Sequence, residues 1–109
     1  MNLQEYQEFA LSTAIYPDKG ENLTYPILGL CGEAGEVAEK LKKIIRDKEG
    51  VVSPSDIDEI EKELGDVMWY IAAICHELDI TMNEVIDANV AKLKSRRERN
   101  KISGSGDNR

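Results

Sequence analysis

Apolar residues recur three or four positions apart along most of the chain, and polar breaks divide it into four segments. Residues 2–14 carry this spacing at Leu3, Tyr6, Phe9, Ala10 and Ala14. The spacing matches one face of an α-helix and predicts a first helix there. The next stretch, YPDKGEN at 16–22, holds a proline and a glycine that interrupt the pattern, and it predicts a loop.

Start and stop signals predict the other three helices. The second runs from Thr24 or Tyr25 to about residue 47 and ends before Gly50. The third follows a Ser53 cap, with proline at its first position, and extends to about residue 78. The fourth begins at a capping box formed by Thr81 and Glu84 and extends to about residue 99. No segment has a strand pattern, so we expect an all-α chain of four helices that forms a bundle.

The third predicted helix is apolar on every side over residues 67–75, VMWYIAAIC. Such a helix must be buried all round, and three companions in so small a chain can hardly cover it. We therefore expect a homodimer or homotetramer that completes the bundle, with this helix near a symmetric interface. Residues 1–100 are expected to form a single domain, and the polar, Gly/Ser-rich residues 101–109 a flexible tail without a function of its own.

Charge and composition exclude several classes of protein. The 109 residues carry a formal charge of −7, yet six of the 14 basic residues lie between positions 91 and 101. An acidic body with one basic end does not suit a nucleic-acid-binding protein. No apolar run reaches the ~20 residues of a membrane span, and the N-terminus lacks a signal layout. Cys31 and Cys75 sit among apolar neighbours, which predicts buried, reduced thiols in a cytoplasmic protein.

Acidic residues three positions apart are the main candidates for chemistry. The second helix carries Glu33, Glu36 and Glu39, and the third carries Glu63 and Asp66. Residues at this spacing share one helix face, where like charges repel. A bound cation would offset the repulsion, and an all-oxygen ligand set favours Mg²⁺, with Mn²⁺ as a substitute. A di-iron site is excluded, because the chain has no Glu-x-x-His motif.

Ordinary surface ion pairs remain an alternative for two of these acids. Glu36 precedes Lys40 by four positions, and Glu39 precedes Lys43 by four, in the orientation that stabilises a helix. Glycines flank the acids and predict that the two helix backbones approach closely; they are Gly29, Gly32, Gly35 and Gly65.

Basic and aromatic residues supply candidates for ligand binding. Asn89, Lys92 and Arg96 follow one another at steps of three or four on the last helix and could line the approach of an anionic ligand. The arginine could instead complement the dipole at the helix C-terminus. Trp69 is a candidate for stacking on a base, although an aromatic residue beside an apolar helical run more often belongs to the core.

GEAGEVAEK at 32–40, followed by ELGDV at 63–67, resembles the MazG-like nucleotide pyrophosphohydrolases of the all-α NTP pyrophosphatase superfamily. The resemblance covers about residues 22–97. It implies Mg²⁺-dependent cleavage of a (d)NTP to the (d)NMP and pyrophosphate. It also implies that four acids bind the metal and that Asn89 and Lys92 face the phosphates; the four acids are Glu33, Glu36, Glu63 and Asp66.

One departure from this family pattern concerns the general base. Many relatives have Glu-Glu-x-x-Glu, whereas this chain has Gly32 at the first position. The duty of the general base therefore falls to another residue or to a metal-bound hydroxide, and its identity stays open. The candidate catalytic residues are Glu36, Glu39 and Lys92, of which the lysine would steady the leaving pyrophosphate. A nucleotide-binding protein without hydrolytic activity, or a helical oligomerisation module, is the alternative function.

Overall fold

Four α-helices and no strand make up the fold in a computed structural model that describes residues 1–109. They are α1 (Leu3–Ser12), α2 (Thr24–Lys48), α3 (Pro54–Glu77) and α4 (Met82–Glu98). The long helices α2 and α3 pack along each other, while α1 lies on α3 and α4 contacts α1 and α3 but not α2. The all-α prediction is confirmed, and each helix begins and ends within about two residues of its predicted limits.

Helices α2 and α3 form an antiparallel hairpin. Lys48 pairs with Asp56 near the turn, Lys40 pairs with Glu63 further along, and Gly29 faces Tyr70 at the far end. The inward positions of α2 recur every three or four residues, at 30, 33, 37, 40 and 44. Cys31 lies off this stripe and is exposed, so the prediction that both thiols are buried is wrong for Cys31 and confirmed for Cys75.

Capping boxes fix where the helices begin. Glu84 donates its backbone N–H to Thr81 Oγ1 at 3.0 Å, and Thr81 returns its own N–H to Glu84 Oε2 at 3.2 Å. Ser53 and Asp56 form the same reciprocal pair at the start of α3. The Thr81–Glu84 box and the Ser53 cap were predicted, whereas the returning hydrogen bond from the Ser53 N–H to Asp56 was not. A third, between Asn2 and Glu5, fixes the start of α1 and was missed.

The loop between α1 and α2 is tied to the end of α3 by one carboxylate. Glu77 accepts hydrogen bonds from the Tyr16 hydroxyl, from the Gly20 N–H at 2.8 Å and from the Asn22 N–H at 3.2 Å. Tyr16 also stacks on Tyr25 of α2, with ring centroids 5.0 Å apart and planes 5° apart. Glu77 therefore sets how the chain enters α2.

The buried core is small and lies where α1, α3 and the start of α4 meet. It includes Ala10, Ala72, Cys75 and Met82, with Trp69 packed against it. Only 10 of the 109 residues are buried, and the radius of gyration is 16.9 Å, against about 13 Å for a compact chain of this length. Much apolar surface is therefore open in a single chain.

Residues 101–109 form turns that fold back on the C-terminal half of α4. Arg96 donates to the backbone oxygen of Asp107 at 2.7 Å, and Arg99 donates to that of Arg109 at 2.6 Å. The flexibility of this segment stays a prediction. None of the four helices combines the length and apolar composition needed to cross a bilayer.

Candidate metal centre

Three carboxylates from two helices converge midway along the α2–α3 hairpin. Glu33 comes from the inward stripe of α2, and Glu63 and Asp66 come from successive turns of α3. One oxygen from each lies within 4.8 Å of the other two. We call these three residues the acidic triad.

The triad concentrates negative charge with little to balance it. Burial, followed by the nearby carboxylates of Glu63, Asp66 and Glu36, raises the pKa of Glu33. The nearest cation, Lys40, lies 3.6 Å from Glu63 but also 3.6 Å from Glu59, so it is shared with an acid outside the triad. Oxygen-only ligands at this separation suit a hard divalent cation such as Mg²⁺ or Mn²⁺.

The other two candidate acids of α2 lie outside the triad. Glu36 is exposed, makes no ion pair, and is close enough for its charge to raise the pKa of Glu33. Glu39 contacts Lys42 at 2.8 Å and Lys43 at 3.8 Å. The structure therefore places Glu39 in the surface ion pairs that the sequence left as an alternative.

Two aromatic side chains lie next to the acidic triad and form a wall of a cavity. Trp69 and Tyr70 line a cavity of about 310 Å³ together with Glu33 and Asp66. Their rings meet edge to face with centroids 5.0 Å apart, and the indole N–H of Trp69 donates to Thr13 Oγ1 at 2.8 Å. Trp69 thus packs on the core and also borders the cavity.

The glycines of α2 and α3 play unequal roles. A Cβ added to Gly29 would stand 2.1 Å from Cε1 of Tyr70, so this glycine lets the tyrosine ring lie on the helix backbone. A Cβ on Gly32, Gly35 or Gly65 would meet nothing within 4 Å. The close contact predicted between the helices therefore occurs only at Gly29, where a tyrosine ring and not the α3 backbone approaches. The prediction is wrong at the other three glycines, because those positions face open space in the single chain.

Comparison with known proteins identifies the family to which these features belong. The model of the MazG nucleotide pyrophosphohydrolase domain matches residues 22–100, which include the whole α2–α3 hairpin and α4. The chain belongs to the MazG family. It is also 49% identical over 114 residues to the gene 37 protein of Mycobacterium phage L5, across the full length of both chains. No solved structure matches it.

Metal binding agrees with this family membership. MazG proteins use a divalent metal, and the acidic triad of this MazG chain could hold one. The carboxylates come from the two motifs that the sequence singled out, one on each helix of the hairpin. The charge of Glu36 reaches the same location, so four carboxylates in all influence it.

The predicted phosphate-facing residues of this MazG chain lie elsewhere. Asn89 and Lys92 line a separate cavity of about 470 Å³ on α4, and Arg96 lies beneath the folded-back residues 106 and 107. Helix α4 does not contact α2, and no residue of α4 lines the cavity beside the triad. One chain therefore does not bring its basic and acidic candidates together.

Two features near the site were missed by sequence reasoning. The i+4 spacing paired Lys40 with Glu36, whereas Lys40 crosses to Glu59 and Glu63 of α3. Glu77 was not singled out, although it holds the loop that leads into α2. A glutamate at the end of an apolar helix was the only available signal, and its partners, 55 to 61 positions away, were not apparent from local spacing.

Proposed function

We propose that this protein is a divalent-metal-dependent nucleoside triphosphate pyrophosphohydrolase that converts a (d)NTP to the (d)NMP and pyrophosphate. The observation that carries the proposal is the convergence of Glu33, Glu63 and Asp66 in a chain of the MazG family. Phosphoryl transfer depends mainly on positioning and charge neutralisation, and a cluster of carboxylates that holds a cation beside a cavity suits both tasks.

Four carboxylates are the proposed ligands of Mg²⁺ or Mn²⁺: the acidic triad, with Glu36 as the fourth. The bound cation supplies positive charge that neutralises phosphate oxygens. Glu36 is exposed and has no ion-pair partner, so its carboxylate can accept a proton from the attacking water. The water oxygen then forms a bond to the α-phosphorus, the bond to the bridging oxygen breaks, and pyrophosphate leaves.

The remaining candidates have supporting roles in this proposal. Trp69 and Tyr70 form the cavity wall against which a base can stack. Glu39 is already paired with two lysines, so it holds those two side chains in place and does not exchange protons with the substrate or water. Lys92, Asn89 and Arg96 bind the phosphate end of the ligand. The two free thiols fit a reducing cytoplasm.

A second copy of the chain would complete the site. Helix α4 exposes an apolar stripe at Ile86, Val90 and Leu93, each more than two-fifths exposed, and it carries Lys92 away from the triad of its own chain. A homodimer or homotetramer that covers this stripe could place Lys92 of one copy beside the triad of another. The open shape of the single chain supports such an assembly.

The direct test incubates the protein with a panel of NTPs and dNTPs plus Mg²⁺ and identifies the products. We expect pyrophosphate and the monophosphate, and loss of both in Asp66→Asn. Asp58→Asn is the matched control, because Asp58 is an exposed acid of α3 without an ion pair. Release of orthophosphate alone, or unchanged activity in Asp66→Asn, would contradict the proposal. Nucleotide binding without turnover would favour the binding-protein alternative.

Mixing two inactive variants tests the proposed assembly. If Lys92 acts across the interface, a dimer of one Asp66→Asn chain and one Lys92→Ala chain has one intact site. Random mixing of equal amounts should then restore about a quarter of the wild-type activity. Lys92 acting within its own chain would give no restoration in the mixture.

A further inference from the structure

The C-terminal residues 101–109 are held in a folded-back form by their last side chain. The guanidinium of Arg109 donates to the backbone oxygens of Lys101 at 3.2 Å, Ile102 at 2.9 Å and Gly106 at 2.7 Å. Arg99, the residue that directly follows α4, donates to the backbone oxygen of Arg109 at 2.6 Å. Arg109 thus closes the segment on itself, and Arg99 fastens its end to the helix.

This segment covers the basic residues that the proposed function assigns to phosphate. The carboxylate of Asp107 lies 3.3 Å from Lys92 Nζ and 3.6 Å from Arg96 Nη2. The same Nη2 donates to the backbone oxygen of Asp107 at 2.7 Å. The hydrogen bond and charge of Lys92, followed by the charge of Arg96, lower the pKa of Asp107. The Asp107 carboxylate is therefore already paired with both Lys92 and Arg96.

The folded-back residues 106 and 107 do not satisfy every hydrogen-bond donor of Arg96. Arg96 is only 5% exposed, and its Nε is buried without a hydrogen-bond partner. Leaving a buried donor unpaired is costly. A guanidinium presents Nε and Nη2 as a planar fork that matches two oxygens of a phosphate. A phosphate group could satisfy the donor that the tail leaves unpaired.

We propose that residues 101–109 act as an internal strap, in which Asp107 occupies the Lys92–Arg96 anion site and must be displaced before a phosphate-bearing ligand can bind there. The inference rests on the proposed function only for the identity of that ligand. Asp107 is 86% exposed, and exposed ion pairs are weak, so the strap lowers affinity without closing the site permanently.

The test measures the affinity of full-length protein for inorganic pyrophosphate in the presence of Mg²⁺ by titration calorimetry. Asp107→Asn weakens the two ion pairs of the Asp107 carboxylate and should tighten pyrophosphate binding by about threefold, the scale of an exposed ion pair. Asp58→Asn removes the same charge from an exposed position near the start of α3 and should leave the affinity unchanged. An equal gain in both variants would mean a general charge effect and would overturn the strap.

For Arg109→Ala, the strap and a simple charge effect predict opposite changes in the affinity for pyrophosphate. It loosens the strap without altering Lys92 or Arg96, so pyrophosphate should bind more tightly although the protein has lost a positive charge. Weaker binding in Arg109→Ala would contradict the proposal. In the wild type, saturating pyrophosphate should move the backbone amide NMR signals of residues 104–108 towards random-coil positions. Signals that do not move would also overturn it.

These results can be told apart from failure of the proposed function. If no nucleotide is hydrolysed but the affinity and NMR shifts follow the expected pattern, the strap stands and the enzymatic proposal falls. If nucleotides are hydrolysed while Asp107→Asn and Arg109→Ala change neither the pyrophosphate affinity nor KM, the strap falls and the enzymatic proposal stands.

Discussion

The ring of Tyr70 lies on the backbone of Gly29, where an added Cβ would stand 2.1 Å from Cε1. This contact places a wall of the cavity beside the acidic triad and brings α2 and α3 close together at the open end of their hairpin. It also explains why a residue with poor helix propensity occupies an interior position of α2.

Gly29→Ala should destabilise the protein and shift Tyr70. Overpacking costs about 1–3 kcal/mol, which exceeds the ~1 kcal/mol gained from alanine in a helix. Chemical denaturation gives the free energy of unfolding. The emission of Trp69, the single tryptophan and an edge-to-face neighbour of Tyr70, reports the shift.

Gly32→Ala provides the matched control on the same helix. Nothing lies within 4 Å of a Cβ there, so this variant should be more stable by up to about 1 kcal/mol and should keep the wild-type emission. Equal stabilisation of Gly29→Ala and Gly32→Ala would show that the Tyr70 contact imposes no constraint.

Asp66→Asn should change the stability of the metal-free protein little and should greatly reduce the stabilisation that Mg²⁺ provides. Without metal, loss of one of three clustered charges should leave stability unchanged or raise it by a few tenths of a kcal/mol. In the wild type, Mg²⁺ at 100 times its Kd should stabilise by about 2.7 kcal/mol. We expect Asp66→Asn to lose most of this gain and Glu36→Gln to lose less.

Thermal melts with and without Mg²⁺ provide the measurement for this prediction. Asp58→Asn should respond to Mg²⁺ as the wild type does, because Asp58 is exposed and lies outside the triad. A melting temperature that Mg²⁺ leaves unchanged in the wild type would remove the metal from the proposed function.

Tyr16→Phe should loosen the loop that leads into α2. Burial alone would raise the pKa of Glu77, but hydrogen bonds from Tyr16, Gly20 and Asn22 outweigh burial and lower it. Phenylalanine keeps the stacking on Tyr25 and removes one of the three donors, so we expect a loss of about 1 kcal/mol. Urea unfolding gives the value.

A double-mutant cycle with Glu77→Ala, which removes the acceptor, tests whether that loss comes from the hydrogen bond. Residues in direct contact couple by about 0.5 kcal/mol or more. Additive losses in the double variant would mean that the Tyr16 hydroxyl contributes through another contact.

Acid should weaken the cap of α3. Hydrogen bonds from Lys48 and then from Ser53 lower the pKa of Asp56 from 3.8 to about 2. A carboxyl with a lowered pKa contributes stability above its unfolded pKa, and this contribution is lost as the pH falls through the folded value. The wild type should therefore lose stability between about pH 4 and pH 2.

Melting temperatures across that pH range check this prediction. Asp56→Asn should be less stable than the wild type at neutral pH, and the difference should shrink as the pH falls. Asp58→Asn, which removes an acid without an ion pair, should follow the wild-type curve. A constant gap between wild type and Asp56→Asn would contradict the assignment.

Helix caps and residue spacing, which act over a few residues, made the four helices and the two acidic motifs predictable from the sequence. A capping box such as Thr81–Glu84 acts within four residues, and the i+3 spacing of Glu63 and Asp66 places both on one face wherever the helix packs. The convergence of Glu33 on that face followed only as a hypothesis, because it depends on how α2 and α3 align.

Features that depend on packing between distant segments were not predictable in this way. Lys40 could reach Glu36 on its own helix, and the choice of α3 partners depends on the rotation of α2. Cys31 has apolar neighbours in sequence, but its helix position turns it outward. The contact between Asp107 and Lys92 joins residues 15 positions apart across a turn that helical periodicity does not describe.

The scarcity of buried residues has a thermodynamic consequence. A chain that encloses only ten side chains gains little hydrophobic free energy by folding alone. If a partner copy covers the stripe on α4, folding and association become one equilibrium, and the melting temperature rises with protein concentration. Diluting the protein would then favour the unfolded monomer without any change of solvent.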